Sequence, residues 1–194
     1  MKKVLSIIAL CLIAVLAGTI IVFSCVDKSY NLNLTKPDYI EISINNSNAK
    51  ESYYSNGDEE HKAVYDKVMK LYDESYKQKI MSGIFSGTIF SKPVIVRNGQ
   101  SISNILSNGT FIVFNYADEQ TLKLNGKDYT YTYPSGSTDS NIKYKTLYIE
   151  VKDTDSVTTF NIYVKNISSD YSYYRYSVQG KQADLYDYLQ KLGK

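Results

Sequence analysis

Three observations predict an α+β fold, with an N-terminal transmembrane or signal helix followed by an antiparallel sheet of about five to seven strands and two main helices. Several short segments alternate apolar and polar residues, as in DYIEISIN, KTLYIEV and TTFNIYV. Two others, DEEHKAVYDKVMKLY and ADLYDYLQKL, carry apolar residues at helical spacing. Asn125-Gly126, between two strand-like runs, supplies the two positive-φ residues of a type I′ hairpin turn.

The chain opens MKKVLSIIALCLIAVLAGTIIVFSCVDKSY. Val4 to Val26 is a run of 23 residues without a charge. About 20 apolar residues span a bilayer as a helix, whereas the apolar part of a secretory signal is usually about 7–15. A soluble helix of this length would show a polar face, and this run has none. Length therefore favours a membrane anchor over residues 4–26. Lys2 and Lys3 place its N-terminus in the cytoplasm and residues 27–194 outside the cell membrane. The competing reading is cleavage. Val22-Phe23-Ser24-Cys25 resembles a bacterial lipobox, which would make Cys25 a lipidation site, although Phe23 stands where a small side chain is usual. The same Val-x-Ser spacing would serve an ordinary signal peptidase and release the chain. All three readings export residues 27–194.

Residues 27–37 form a polar spacer closed by Pro37, and residues 38–194 are long enough to bury a core of their own. The first strand, DYIEISIN, puts Ile40, Ile42 and Ile44 on one face; a short second strand is expected around residues 52–55. Asp58-Glu59-Glu60 opens a helix with acids where its dipole favours them, and Val64, Val68, Leu71 and Tyr72 give it an apolar stripe over about residues 58–80, with a stop near Gly83. Residues 81–109 are apolar but broken by Gly83, Gly87 and Pro93, with one short helix expected in SISNILSNG. TFIVFNYA is apolar on both faces and predicts a central strand. The Asn125-Gly126 hairpin and a flexible PSGSTDSN loop follow. KTLYIEV sets Leu147, Ile149 and Val151 inward, TTFNIYV does the same with Phe160, Ile162 and Val164, and YSYYRYSV adds a further strand. Leu185, Leu189 and Leu192 make the stripe of a closing helix that Gly193 ends.

Charge and composition exclude several functions. Lys2 and Lys3 are the only charges before Asp27, so residues 27–194 carry twenty basic and twenty acidic side chains. That neutrality argues against a nucleic-acid binder, which needs a net basic surface. Cys11 and Cys25 are the only cysteines and His61 the only histidine, which leaves no disulfide framework, thiol nucleophile or zinc site in the exported part. His61, beside Glu59 and Glu60, reads as an exposed first-turn residue. Ser47-Asn48-Ala49-Lys50 and Ser140-Asn141-Ile142-Lys143 match S-x-x-K, but both fall in expected loops and K-T-G is missing. Asp153-Thr154-Asp155-Ser156 begins like a calcium loop yet lacks its glycine and terminal glutamate, so it reads as a turn. No cofactor or metal is expected.

Tyrosine is the one residue type in excess: 20 copies, all after Asp27. On the strands, the face opposite the Leu/Ile/Phe core carries Tyr144, Tyr148 and Glu150, then Asn161, Tyr163 and Lys165, then Tyr171, Tyr173 and Arg175. A flat ring with a polar tip suits a partly wet contact surface. Tyr144, Tyr148, Tyr163, Tyr171, Tyr173 and Arg175 are therefore the candidate binding residues. The plainer reading is that tyrosine is a good strand former and that a helix covers this face.

An apolar leader, a first strand YIEISI, an acid-started helix DEEHKAVYDKVMKLY and a meander closing on ADLYDYLQKL resemble the small uncharacterised membrane-anchored or lipoprotein-like exported proteins of Gram-positive bacteria. The resemblance covers most of the chain and is architectural. It implies location and transfers no catalytic residue. The expected function is a membrane-tethered, extracytoplasmic, non-enzymatic binding domain whose partner is an envelope protein or a cell-wall polymer. The alternatives are a small envelope hydrolase with paired carboxylates and an auxiliary subunit of a membrane complex, for which Ala14-x-x-x-Gly18 gives the small-residue spacing of close helix packing.

Overall fold

TFIVFNYA does lie at the heart of a sheet. The structure is a computed structural model that describes residues 6–18, 32–45, 50–86, 94–96, 102–107, 109–133, 135–167 and 173–192. The strand it forms, β4 (Gly109–Thr121), is buried on both faces from Thr110 through Tyr116. Numbered in chain order, β1 (Tyr39–Asn45), β2 (Lys50–Ser55), β3 (Val94–Val96), β9 (Lys143–Val151), β10 (Thr158–Lys165) and β11 (Tyr173–Gly180) complete a seven-stranded antiparallel sheet in the order β2-β1-β4-β9-β10-β11-β3. Among the described residues the helices are α1 (residues 6–18), α2 (Glu59–Ser86), α3 (Ile102–Leu106) and α4 (Ala183–Leu192). The fold is α+β, as the alternation predicts.

One face of the sheet carries the main core. Ile40 and Ile42 of β1, Ile112 and Phe114 of β4, Leu147 and Ile149 of β9, and Ile162 of β10 are all buried there. Val64, Val68, Leu71 and Tyr72 of α2 and Leu185 and Leu189 of α4 join the same cluster. Helix α4 is seated by Gln182, which is fully buried: its side chain accepts from Lys152 N–H and donates to Thr158 Oγ1 and Thr159 O, at 3.0, 3.0 and 3.2 Å. Helix α2 continues through Gly83 to Ser86, beyond the expected stop, since a lone glycine costs a helix only about 1 kcal/mol.

Two small hairpins extend from the end of β4. β5 (Lys123–Leu124) and β6 (Lys127–Asp128) flank Asn125 and Gly126, whose φ values of 51° and 76° are those of the expected type I′ turn. β8 (Thr138–Asp139), within the segment expected as a flexible loop, pairs instead with β7 (Tyr131–Thr132). Asp139 holds it, accepting from the hydroxyls of Tyr133 and Tyr174.

Residues 32–38 run along the domain and are held by long side chains. Tyr72 Oη donates to Leu32 O at 3.1 Å, and Tyr116 Oη to Thr35 O at 3.0 Å. Asp38 accepts from Ala117 N–H at 2.7 Å. His61 corrects its own reading: it is fully buried, with Nε2 donating to Pro37 O at 3.1 Å, while Nδ1 has no partner. His61 alone of the helix's first turn faces the spacer, while Glu59 and Glu60 stay exposed, which the local sequence does not reveal.

The membrane-spanning helix expected over residues 4–26 is not shown. The described part of that run is α1. Among the described residues no helix is long and apolar enough to cross a membrane. Cys25 and the rest of the apolar run lie outside the described residues.

Burial lowers the pKa of His61 from its ordinary value of 6.5, against smaller raising effects from the Pro37 carbonyl, Asp58 and Asp38; Lys36 adds to the lowering. The unfolded chain then binds the proton more readily than the folded one. The His61 contribution is fully present above about pH 6.5 and is lost as pH falls towards its lowered folded value, at no more than about 1.4 kcal/mol per pH unit. Urea unfolding of wild type from pH 7.5 downward will show this slope, and His61→Gln will flatten it. In the core, Leu147→Ala removes a fully buried side chain at the sheet centre. It will cost about 2–5 kcal/mol in the same assay.

Candidate functional site

The registers place the expected tyrosines in rows across the face opposite the main core. One row runs Tyr53, Glu41, Val113, Tyr148, Tyr163, Arg175, from β2 to β11. A second runs Glu51, Ser43, Phe111, Glu150, Asn161, Ser177. Tyr148, Tyr163, Tyr173 and Arg175 do share this face, but it is not open. Helix α3 covers its centre: Ile102 is buried with Phe111, Tyr163 and Tyr173, and Ile105, Leu106 and Tyr148 pack around them. Tyr163 and Tyr173 are only 6 % and 3 % exposed and their rings meet edge-on, with centroids 5.8 Å apart. They are a second, smaller core, and this corrects the expectation of an exposed tyrosine surface. Phe111 and Val113 on the same face supply the reason, since their apolar surface needs a cover.

Tyr144 is a further correction. The β4–β9 ladder is regular to Asn115–Thr146 and resumes at Gln120–Tyr144, so four residues of β4 oppose Lys145 alone. This bulge turns Tyr144 to the main-core side, edge-on to Tyr116 at 5.8 Å between centroids. Burial pushes its phenol up to about 12. Tyr171 lies outside the described residues.

The polar groups beside α3 satisfy one another. Glu150 accepts from the Asn161 amide and from Tyr163 Oη at 3.2 Å, and Ser177 Oγ donates to Asn161 Oδ1 at 2.8 Å. Lys152 Nζ stands 3.7 Å from the other Glu150 oxygen. Burial, and then the Glu150 charge, raises the Tyr163 phenol above its ordinary value. A network of this kind fixes strand pairing. Arg175 is half-buried, and its Nε takes no hydrogen-bond partner.

The bulge also opens a groove of about 270 Å³ lined by Asn33, Thr35, Glu119, Gln120, Thr121, Lys123 and Tyr144. It offers one carboxylate and one ammonium among hydroxyls and amides. Two facing carboxylates, as glycoside hydrolysis needs, are not among these residues. A smaller groove of about 160 Å³ lies between Lys145, Thr146, Lys165 and Ile167. No group of three or more His, Cys, Asp or Glu able to hold a metal occurs among the described residues.

The open part of the sheet face is at the other end, on β1 and β2. Tyr39 and Tyr53 are 43 % and 61 % exposed and sit on the same face, diagonal to each other across the β1–β2 ladder. Between and beside them are Glu41 and Glu51, also diagonal, and Tyr53 Oη donates to Glu51 Oε2 at 3.0 Å. Partial burial, then the Glu51 charge, raises the Glu41 carboxyl above its ordinary value. Sequence reasoning passed over these four residues because the strand alternation marks them only as the polar side of β1 and an uncertain β2. The signal that would have found them is the pairing of two tyrosines with two acids in YIEIS and ESYYS, once the two strands are placed side by side.

If α3 is the cover of the second core, Ile102→Asp will expose Tyr163 and Tyr173 while the main core persists. Nitration by tetranitromethane, mapped by mass spectrometry, will then rise at both residues, with the far-UV spectrum retained. No protein-family model, no curated protein and no solved structure matches this chain.

Proposed function

We propose that this chain is a membrane-tethered, extracytoplasmic interaction domain whose contact surface is the Tyr39–Glu41–Glu51–Tyr53 end of the sheet. The observation that carries the tether is the state of α1. Every residue from 6 to 18 is exposed, including Ile7, Leu10, Ile13 and Leu16 at 60–73 %. An apolar helix whose large side chains are this exposed is expected to find cover in lipid or in a partner. With the uncharged run extending from Val4 to Val26 and Lys2-Lys3 before it, lipid is the reading the sequence supports, and the domain then lies on the outer side. Lipid attachment at Cys25 gives the same location by another route. The likeness to small exported Gram-positive proteins agrees with both.

The contact surface follows from what remains open. Among the described residues of the domain, the exposed large apolar side chains are Tyr39, Tyr53, Val157 and Ile167, and only the two tyrosines are neighbours on one face. An exposed tyrosine pair rimmed by carboxylates is the composition of a recognition patch rather than of a catalytic cleft. An envelope protein or a cell-wall polymer is the partner class this location makes available. The paired-carboxylate hydrolase finds no support in the larger groove, where Glu119 is the single acid.

The test is location and capture in one host. Expressed in a Gram-positive cell, the full chain will remain with membranes through a carbonate wash, and the domain will be digested by protease added to intact protoplasts. The intact mass of wild type beside Cys25→Ala separates an uncleaved anchor from a lipoprotein. Recovery in the cytosol or free in the medium would defeat the tether. A photo-crosslinking residue at Tyr53 will capture an envelope component that the same residue at Val157 does not; equal capture at both would defeat the contact surface.

A further inference from the structure

Strand β2 is an edge of the sheet, with β1 as its one neighbour. Asn56 N–H donates to Asp38 O at 2.8 Å, which continues the β1–β2 ladder. Antiparallel alternation then aims the backbone groups of residues 50, 52 and 54 at β1 and those of residues 51, 53 and 55 away from it. Ser55 is already closed off. Its N–H donates to Asp58 Oδ2 at 2.7 Å, and its carbonyl accepts from Asp58 N–H at 3.0 Å. Glu51 and Tyr53 are not: among the described residues their outward N–H and C=O groups take no partner. Two donors and two acceptors, in register and next to the exposed tyrosine–acid patch, are a template for one more strand.

We propose that an extended, basic peptide segment of a partner protein adds to the β2 edge as an eighth strand, its backbone pairing with Glu51 and Tyr53 and its alternate Lys or Arg side chains lying over Glu51, Glu41 and the Tyr53 ring. This rests on the contact surface proposed above and names its mode and partner chemistry. Charge selects the occupant. Partial burial, and then the Glu51 charge, raises the Glu41 carboxyl above its ordinary value, a cost that an incoming cation relieves. A second copy of the chain would bring its own Glu41 and Glu51 against the first pair, which disfavours edge-to-edge dimers.

The probe is a short fluorescein-labelled peptide alternating lysine with threonine, titrated by anisotropy against the purified full chain in detergent micelles. A glutamate–threonine peptide and a lysine–threonine peptide N-methylated on alternate amides serve as comparisons. Wild type will bind the lysine peptide saturably, and the other two at least about tenfold more weakly. Tyr53→Pro removes an outward N–H without touching the β1 ladder; it will lose about tenfold, as will the Glu41→Gln/Glu51→Gln double variant. Circular dichroism checks the fold of Tyr53→Pro, and if that variant unfolds the N-methylated peptide decides. No saturable binding of the lysine peptide overturns the proposal. So does equal binding of the N-methylated peptide, or of a folded Tyr53→Pro. If the double glutamine variant still loses binding in those last cases, the contact surface stands and only strand addition falls. Self-association blocked by Tyr53→Pro, without peptide binding, would assign the edge to a second copy and overturn the basic partner. Membrane location is read separately by fractionation and is not touched by any of these outcomes.

Discussion

The rest of the domain depends on β4 being apolar on both faces. Phe111 and Val113 point one way and Ile112 and Phe114 the other, and all four are buried. A strand of that kind has to be central and has to be covered twice. On the first side α2 and α4 supply the cover with a broad stripe of Val and Leu. On the Phe111 side, among the described residues, the short helix α3 provides the cover, and its Ile102 reaches Phe111, Tyr163 and Tyr173. The tyrosines complete the cover by lying against their neighbours across the strands, which is what an aromatic ring with a polar tip does well at the margin of a small core. Their hydroxyls then need partners, and Glu150 serves Tyr163.

This requirement was legible in the sequence and pointed against the open tyrosine surface. TFIVFNYA reads as buried on both sides, so the face that Phe111 shares with Tyr148 and Tyr163 could not also be wholly exposed. What concealed the conflict is that α3 sits in the least regular stretch of the chain, between glycines, with only Ile102, Ile105 and Leu106 to mark it. The alternating strands, the Asn125-Gly126 turn and both long helices were legible because their signals are local. His61 and Tyr144 were not. His61 is buried by a contact with Pro37, 24 residues away, and Tyr144 changes face through a bulge whose extra residues are on β4. Neither can be read from the residues beside it.

Tyrosine performs three different tasks with one side chain. Tyr72 and Tyr116 reach from the main core to hold the carbonyls of Leu32 and Thr35, so that the spacer before β1 is fastened to the domain rather than trailing from it. Tyr133 and Tyr174 converge on Asp139 and fasten the β7–β8 hairpin. Tyr39 and Tyr53 do neither and remain open.

A formally neutral domain can still be electrically asymmetric, and the sheet edges show where that asymmetry matters. An unpaired edge strand invites aggregation unless something blunts it. On β2 the blunting is partial: Asp58 closes Ser55, the strand is six residues long, and no proline interrupts it. What stands beside the open stretch is a pair of carboxylates, Glu41 and Glu51, placed diagonally across the β1–β2 ladder. Like charges at an edge do not forbid strand addition in general; they forbid it to acidic or identical strands and leave it open to basic ones. The same two residues thus account for solubility of the edge and for its selectivity, and a mutation that neutralised both would be expected to trade one for the other.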